Sequence, residues 1–179
     1  AGQRYDSQLG DCKSCDVGFY KATVSQDSCS PCSSLIGSYS TTNIAGATSS
    51  GECVCKNTFA LHDGWCTCPP GTTFDSDSES CQDCPINEYK NSAGFESCVA
   101  CPGGTTTLVP GAVSVNQCVC PSTLVFSENA CTCEAGRQLN DAVCERCPVG
   151  TFKTTSGLDQ CTPCSDGKTT TTTGATSRT

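Results

Sequence analysis

Twenty cysteines constrain this chain more than anything else in it, and they recur in a pattern. They stand at Cys12, Cys15, Cys29, Cys32, Cys53, Cys55, Cys66 and Cys68, then at Cys81, Cys84, Cys98, Cys101, Cys118, Cys120, Cys131 and Cys133, and again at Cys144, Cys147, Cys161 and Cys164. The order is C-x2-C, thirteen residues, C-x2-C, a linker of 20 or 16 residues, C-x-C, ten residues and C-x-C, after which the next copy begins. A fixed period is read before any single element, because each copy is then one structural unit. The spacing predicts the end of a preceding repeat over 1–11, a first repeat over 12–80, a second over 81–143 and the truncated first half of a third over 144–179.

The copies share more than cysteine. "VGFYKATVSQDSC", "INEYKNSAGFESC" and "VGTFKTTSGLDQC" align without gaps. "AGQRYDSQLGDC" matches "PGTTFDSDSESC" and "AGRQLNDAVC", while "IAGATSSGEC", "VPGAVSVNQC" and "TTGATSRT" follow the second C-x2-C of each copy. The chain therefore starts just after one expected C-x-C hairpin and stops just before another, as a window on a longer array would.

Val, Leu, Ile and Phe together make up about 15% of the residues, below the roughly 20% needed for a charged chain to bury enough apolar surface. Cross-links must replace the core. A disulfide closing a loop of about 15 residues contributes on the order of 3 kcal/mol, chiefly by restricting the unfolded chain. Disulfides persist in oxidising compartments, so the chain is expected outside the cell or at its surface, with all twenty cysteines bonded. The net charge of −8 and the lack of basic clusters argue against nucleic acid as a partner. No apolar run approaches the ~18 residues of a membrane-spanning helix.

Secondary structure is expected to be sparse. "TFALHDGWC" alternates apolar residues around Asp63-Gly64, a hairpin-turn dipeptide, and "TLVFSENAC" is its counterpart in the second copy. No segment keeps helical periodicity for three turns. The predicted fold class is small and disulfide-rich, an elongated tandem array of short β-hairpin modules.

Several motifs could carry chemistry. Two C-x2-C pairs thirteen residues apart approach a four-thiolate zinc ribbon, but the C-x-C pairs, Ser/Thr-rich linkers and tandem repetition favour disulfides. No strand-to-helix context supports a redox C-x2-C. His62 is the only histidine and reads as a turn-tip surface residue. Asp75, Asp77 and Glu79 alternate but lack the fixed Gly and bidentate Glu of a calcium loop, and read as a solvated face. Trp65, Tyr20, Tyr89 and Phe152 are expected to cap the disulfides of their own modules. Thr105, Thr106 and Thr107, with Thr169, Thr170, Thr171, Thr172 and Thr173, share a phase and are candidates for O-glycosylation; there is no N-x-S/T sequon. No catalytic residue, metal site or cofactor is expected.

The string C-x2-CPxGTF-x4-G-x3-C-x2-CPxG resembles the GCC2/GCC3, or ephrin-receptor-like, cysteine-rich repeat, with a looser likeness to tumour-necrosis-factor-receptor and EGF-like modules at the C-x-C segments. The likeness covers 12–50, 81–115 and 144–177, although "CDVGFY" lacks the Pro and "CPINEY" the Gly. It implies an extracellular, elongated string of small disulfide-laddered modules. It also suggests a connectivity, one of three for each group of four cysteines: Cys12–Cys29 and Cys15–Cys32, repeated at 81/98, 84/101, 144/161 and 147/164, with 53/66, 55/68, 118/131 and 120/133 for the C-x-C segments.

Nothing in the sequence supports an enzyme. The expected function is structural: a rod-like segment of a longer extracellular repeat protein forming a filament, flagellar hair or surface coat, whose partners are other protein chains through self-association or adjoining repeats. The alternative is a receptor or adhesin ectodomain that binds a protein or glycan.

Overall fold

The computed structural model describes residues 1–165 and 167–177. The chain divides into two compact units, one of residues 1–84 and 90–98, the other of 85–89 and 99–179. As the cysteine density requires, both are small disulfide-rich assemblies. Among the described residues there are nine two-stranded antiparallel sheets and nine disulfides.

In the first unit the Ala60–His62 and Trp65–Thr67 strands form the hairpin expected from Asp63-Gly64. Both turn residues have positive φ (49° and 82°), the geometry whose twist matches that of the flanking strands. The second unit repeats it with Val125–Ser127 and Ala130–Thr132, turning through Glu128 and Asn129 at φ 51° and 66°. Two longer hairpins in the first unit pair Gln3–Asp6 with Asp11–Ser14 and Thr72–Asp75 with Ser80–Asp83. Their equivalent in the second unit pairs Arg137–Asn140 with Val143–Arg146, through Asp141 and Ala142 at positive φ.

The disulfides correct the expected connectivity throughout. The first unit holds Cys15–Cys29, Cys32–Cys53, Cys55–Cys66, Cys68–Cys81 and Cys84–Cys98. The second holds Cys101–Cys118, Cys120–Cys131, Cys133–Cys144 and Cys147–Cys161. Within a C-x2-C or C-x-C pair, the first cysteine bonds backward along the chain and the second forward. Cys12 and Cys164, both expected in disulfides, have no partner within the chain. The expected scheme, with 12/29 beside 15/32 and 53/66 beside 55/68, aligns two segments in parallel. Parallel neighbours need a long crossover, whereas the short loops here turn straight back into antiparallel hairpins. In a C-x2-C segment the odd spacing also sends the two side chains to opposite faces of an extended backbone.

One helical turn, α1 (Ser33–Ile36), was not expected. It lies in the longer of the two complete linkers and packs against Ser40–Thr42, Cys53–Cys55 and Trp65–Thr67. Ile36 and Tyr39, just beyond it, help cover a small core of Phe59, Cys66, Cys68 and Cys81. The Tyr39 ring stacks on Phe59 with centroids 4.3 Å apart, and Phe74 meets Phe95 edge-on at 5.6 Å.

A reciprocal cap closes each complete linker. Ser49 Oγ accepts from the Gly51 amide, while Glu52 Oε1 accepts from the Thr48 and Ser49 amides and from the Thr48 hydroxyl. In the second unit Ser114 and Gln117 make the same arrangement, Gln117 Oε1 accepting from the Val113 and Ser114 amides. The bonds from Thr48 and Ser49 hold the Glu52 carboxyl below its ordinary 4.5. A depressed acid stabilises the fold above the unfolded pKa and loses that contribution as pH falls through the folded value. Lowering the pH below about 4.5 is therefore expected to shift the Thr48 and Ser49 amide resonances and leave those of Val113 and Ser114 in place, because Gln117 does not titrate. Equal movement in both units would contradict the assignment.

Candidate functional site

Each copy closes around a lysine. Lys21, Lys90 and Lys153 are only 4%, 2% and 6% exposed, and a buried ammonium is tolerated only where its protons are met. Lys21 Nζ donates to the carbonyls of Ser25 and Asp27, Lys90 Nζ to those of Thr72 and Gly94, and Lys153 Nζ to those of Arg137 and Gly157. Burial lowers the pKa of Lys90 and Lys153, and the carboxylates of Glu96 and Asp159 respectively oppose the shift. The lysine ties the loop inside the C-x2-C…C-x2-C half to its own module.

A buried threonine does comparable work. Thr42, Thr107 and Thr170 are at most 2% exposed, and each hydroxyl accepts an amide, from Gly18 (3.0 Å), Asn87 (3.2 Å) and Gly150 (3.0 Å) in turn. Between these anchors the backbone passes very close to itself. A Cβ on Gly136, at φ 76°, would lie 2.4 Å from the Gly174 carbonyl oxygen, and the equivalent Gly2 meets Gly46 in the same way. These lysines and glycines were not singled out from the sequence, and Thr107 and Thr170 were read there as candidates for O-glycosylation, which their burial corrects. The signal was present in the gapless strings, where Lys follows an aromatic at one phase of all three copies. A lysine ordinarily reads as surface, which hid it.

The other predicted residues are placed as follows. Of the threonines, Thr105, Thr107 and Thr170 are buried, while Thr106 is half-buried and donates to Asn87 Oδ1. Thr169, Thr171, Thr172 and Thr173 are exposed. His62 is exposed beside the hairpin turn, its Nδ1 3.1 Å from Asp63 Oδ2. Asp75, Asp77 and Glu79 cluster at another hairpin turn, where Asp75 accepts from the Ser78 hydroxyl and the Asp77 amide, bonds that lower its pKa. Among the described residues no group of three or more His, Cys, Asp or Glu side chains could hold a metal ion, and no helix is long and apolar enough to cross a membrane. Phe152 is buried and Tyr20 and Tyr89 are half-buried, but Trp65 is 56% exposed and does not cap its module. The aromatic cluster in that unit is instead Tyr39, Phe59, Phe74 and Phe95.

Two open concave surfaces stand out. In the first unit Tyr39, His62, Asp63, Trp65 and Phe95 line a depression of about 470 Å³. In the second, Pro102, Val115, Val119, Leu124 and Phe126 line a groove of about 560 Å³. Ser38 also lines the first depression, beside the His62–Asp63 contact, but among the described residues no hydrogen bond links its hydroxyl to His62.

The family model described as tyrosine-protein kinase ephrin type A/B receptor-like matches residues 2–53, 71–118 and 136–179. The chain belongs to this ephrin-receptor-like family. Each match opens at Gly2, Gly71 or Gly136, so the family unit takes in the long hairpin before the C-x2-C pairs. The ephrin-receptor-like repeats are also similar to parts of much larger proteins. They are 30% identical over 98% of the chain to the rat sushi, von Willebrand factor type A, EGF and pentraxin domain-containing protein 1. They are 31% identical over 95% of the chain to the zebrafish signal peptide, CUB and EGF-like domain-containing protein 2, and 30% identical over 83% to cysteine repeat modular protein A of Toxoplasma gondii. The chain spans only 4%, 15% and 4% of those proteins. No enzyme family is found among these matches.

Replacing Lys153 by Met should leave the Arg137 and Gly157 carbonyls without their donor, a loss of about 1–3 kcal/mol. In hydrogen exchange with disulfides intact, the amide of Gly157, which bonds Cys133, is expected to exchange about tenfold faster or more. The exposed Lys168→Met should change nothing.

Proposed function

We propose that this chain is a non-enzymatic structural segment of a longer extracellular or cell-surface repeat protein, one that builds a filament, flagellar hair or surface coat. The observation that carries the reading is the sequential disulfide order, whose two unpaired members are Cys12, a backward-bonding position, and Cys164, a forward-bonding one. In the proposed array these two cysteines bond to cysteines of adjoining repeats, and the cross-linking continues without interruption. Nine disulfides require an oxidising compartment, which agrees with an extracellular place. The repeat boundaries at 12, 81 and 144 mark the cysteine pattern, and a phase beginning at Gly2, Gly71 and Gly136 keeps Cys68–Cys81 and Cys133–Cys144 as the links from one module to the next. The exposed Thr169, Thr171, Thr172 and Thr173 are the positions at which O-glycans fit; the buried threonines of the two runs are not.

A receptor or adhesin role is favoured by one feature, the Tyr39, His62 and Trp65 depression, because Gly104, Ser127 and Ala130 stand at those positions in the second copy. A surface confined to one copy suits a ligand better than lateral packing does.

Non-reducing peptide mapping of the native protein by mass spectrometry, combined with electron microscopy, tests the structural reading. Cys12 and Cys164 are expected in peptides cross-linked to sequences outside 1–179, with hexose-type mass increments on the exposed threonines and ordered fibres or layers in the images. Cys12 and Cys164 recovered as free thiols, from material that stays monomeric, would refute it.

A further inference from the structure

The two complete linkers between C-x2-C and C-x-C differ by four residues, the length of α1 (Ser33–Ile36). With the following cysteines aligned, Val54, Phe59 and Leu61 correspond to Val119, Leu124 and Phe126, and Ser50 corresponds to Val115. In the first unit this place is partly covered: α1 packs on the Cys53–Cys55 strand, and Ile36 and Tyr39 pack on a cluster around Phe59, which is 8% exposed, while Leu61 stays 60% exposed. In the second unit no α-helical turn precedes the groove among the described residues, the turn there being the 3-10 Val115–Gln117 at its wall, as Ser50–Glu52 is in the first, and Gly104 stands at the Tyr39 position. The shorter linker keeps to the hairpin edge instead, the Gly103 carbonyl accepting from the Cys131 amide at 2.7 Å. Leu124 is left half-buried, and Val115, Val119 and Phe126 are 42%, 38% and 57% exposed. The open site is also more apolar than the covered one, since Ser50 is replaced by Val115.

We propose that this groove in the second unit is a docking site for a short segment of a partner protein, a helical turn ending in an aliphatic residue with an aromatic one three residues on, beyond the turn, between basic flanks. The first unit supplies the template for the apolar pair, because Ile36 and Tyr39 pack there on a cluster around Phe59, the counterpart of Leu124. Charge complementarity supplies the flanks. There is no Lys or Arg between Lys90 and Arg137, and Glu128 stands at the turn of the hairpin that carries Phe126. The occupant is a partner and not a second copy, because α1 is already packed in its own unit. The mode is a helix laid in a groove, with side-chain anchors giving specificity. It does not depend on whether the array forms a filament.

The test is a nuclear magnetic resonance titration of the isotope-labelled 1–179 chain with a synthetic peptide, Ser-Ser-Leu-Ile-Gly-Ser-Tyr-Ser flanked by two lysines at each end. Saturable shifts are expected at Val115, Val119, Leu124 and Phe126, with a dissociation constant of about 1 mM or tighter. Val115→Glu and Phe126→Ser should each weaken binding about tenfold or more, and Leu61→Ser, at the equivalent position of the first copy, should not. A chain with Ser-Ser-Leu-Ile inserted after Cys101 and Gly104→Tyr should fill its own groove and bind no peptide. The proposal falls if the shifts do not saturate, if Val115→Glu binds as well as the parent, if the inserted chain still binds, or if a peptide with Ile and Tyr replaced by Ser binds equally. It also falls if the groove resonances broaden with protein concentration alone and Phe126→Ser relieves this, since the occupant would then be a second copy.

Discussion

The antiparallel sense of a short hairpin decides nearly everything about this chain. A loop of ten to thirteen residues that returns on itself brings its ends together in opposite directions, so two neighbouring cysteines on one strand cannot both reach the matching pair on the other in parallel order. One bonds within the loop and the other must look outward. Repeated at every C-x2-C and C-x-C pair, that constraint yields a sequence of bonds in which each loop is closed locally and each closure is tied to the next. Apolar burial has a secondary part, confined in the first unit to a few aromatic rings around sulfur.

Inside this covalent frame the modules are specified by polar groups. The buried lysine, the buried threonine and the glycine that permits close backbone approach recur at one phase, and each meets backbone groups that a larger protein would satisfy within sheets or helices. Such groups are costly when unpaired, so they fix the loop path as well as steady it. With so little apolar area available, that division of labour suits the composition. Disulfides limit the unfolded chain, and hydrogen bonds to a few interior side chains select one conformation of each loop.

The fold class was legible because cysteine density and period depend on composition and spacing alone. The Asp63-Gly64 hairpin was legible because its turn residues advertise positive φ. The Arg137–Asn140 hairpin was not, because its turn runs through Asp141 and Ala142, where the flanking strand register imposes the conformation. Connectivity was out of reach of spacing: the same intervals admit crossed, nested or sequential bonds, and only strand direction chooses among them. α1 escaped because four residues carry no periodicity, yet the longer linker was plain in the cysteine count. Trp65 misled in the opposite direction. A module with little else to pack suggested it as a cap for its disulfides, whereas Tyr39, set by the extra linker length, stacks on the core.

The sequential bonds have a mechanical meaning. From Cys15 to Cys161 a continuous covalent path crosses each loop through sulfur and touches the backbone only in the one or two residues between paired cysteines. Every bonded loop is a side branch off that path. A protease that cuts one loop leaves both pieces joined, and a pull applied to the two ends is carried by the sulfur path while the loops stay slack. Extension becomes available only by reduction, one loop at a time. Opening Cys32–Cys53 would release its twenty enclosed residues at about 3.3–3.6 Å each. The chain thus behaves as a short tether with reserve length stored behind each disulfide, and its reach is set by the redox state of its surroundings.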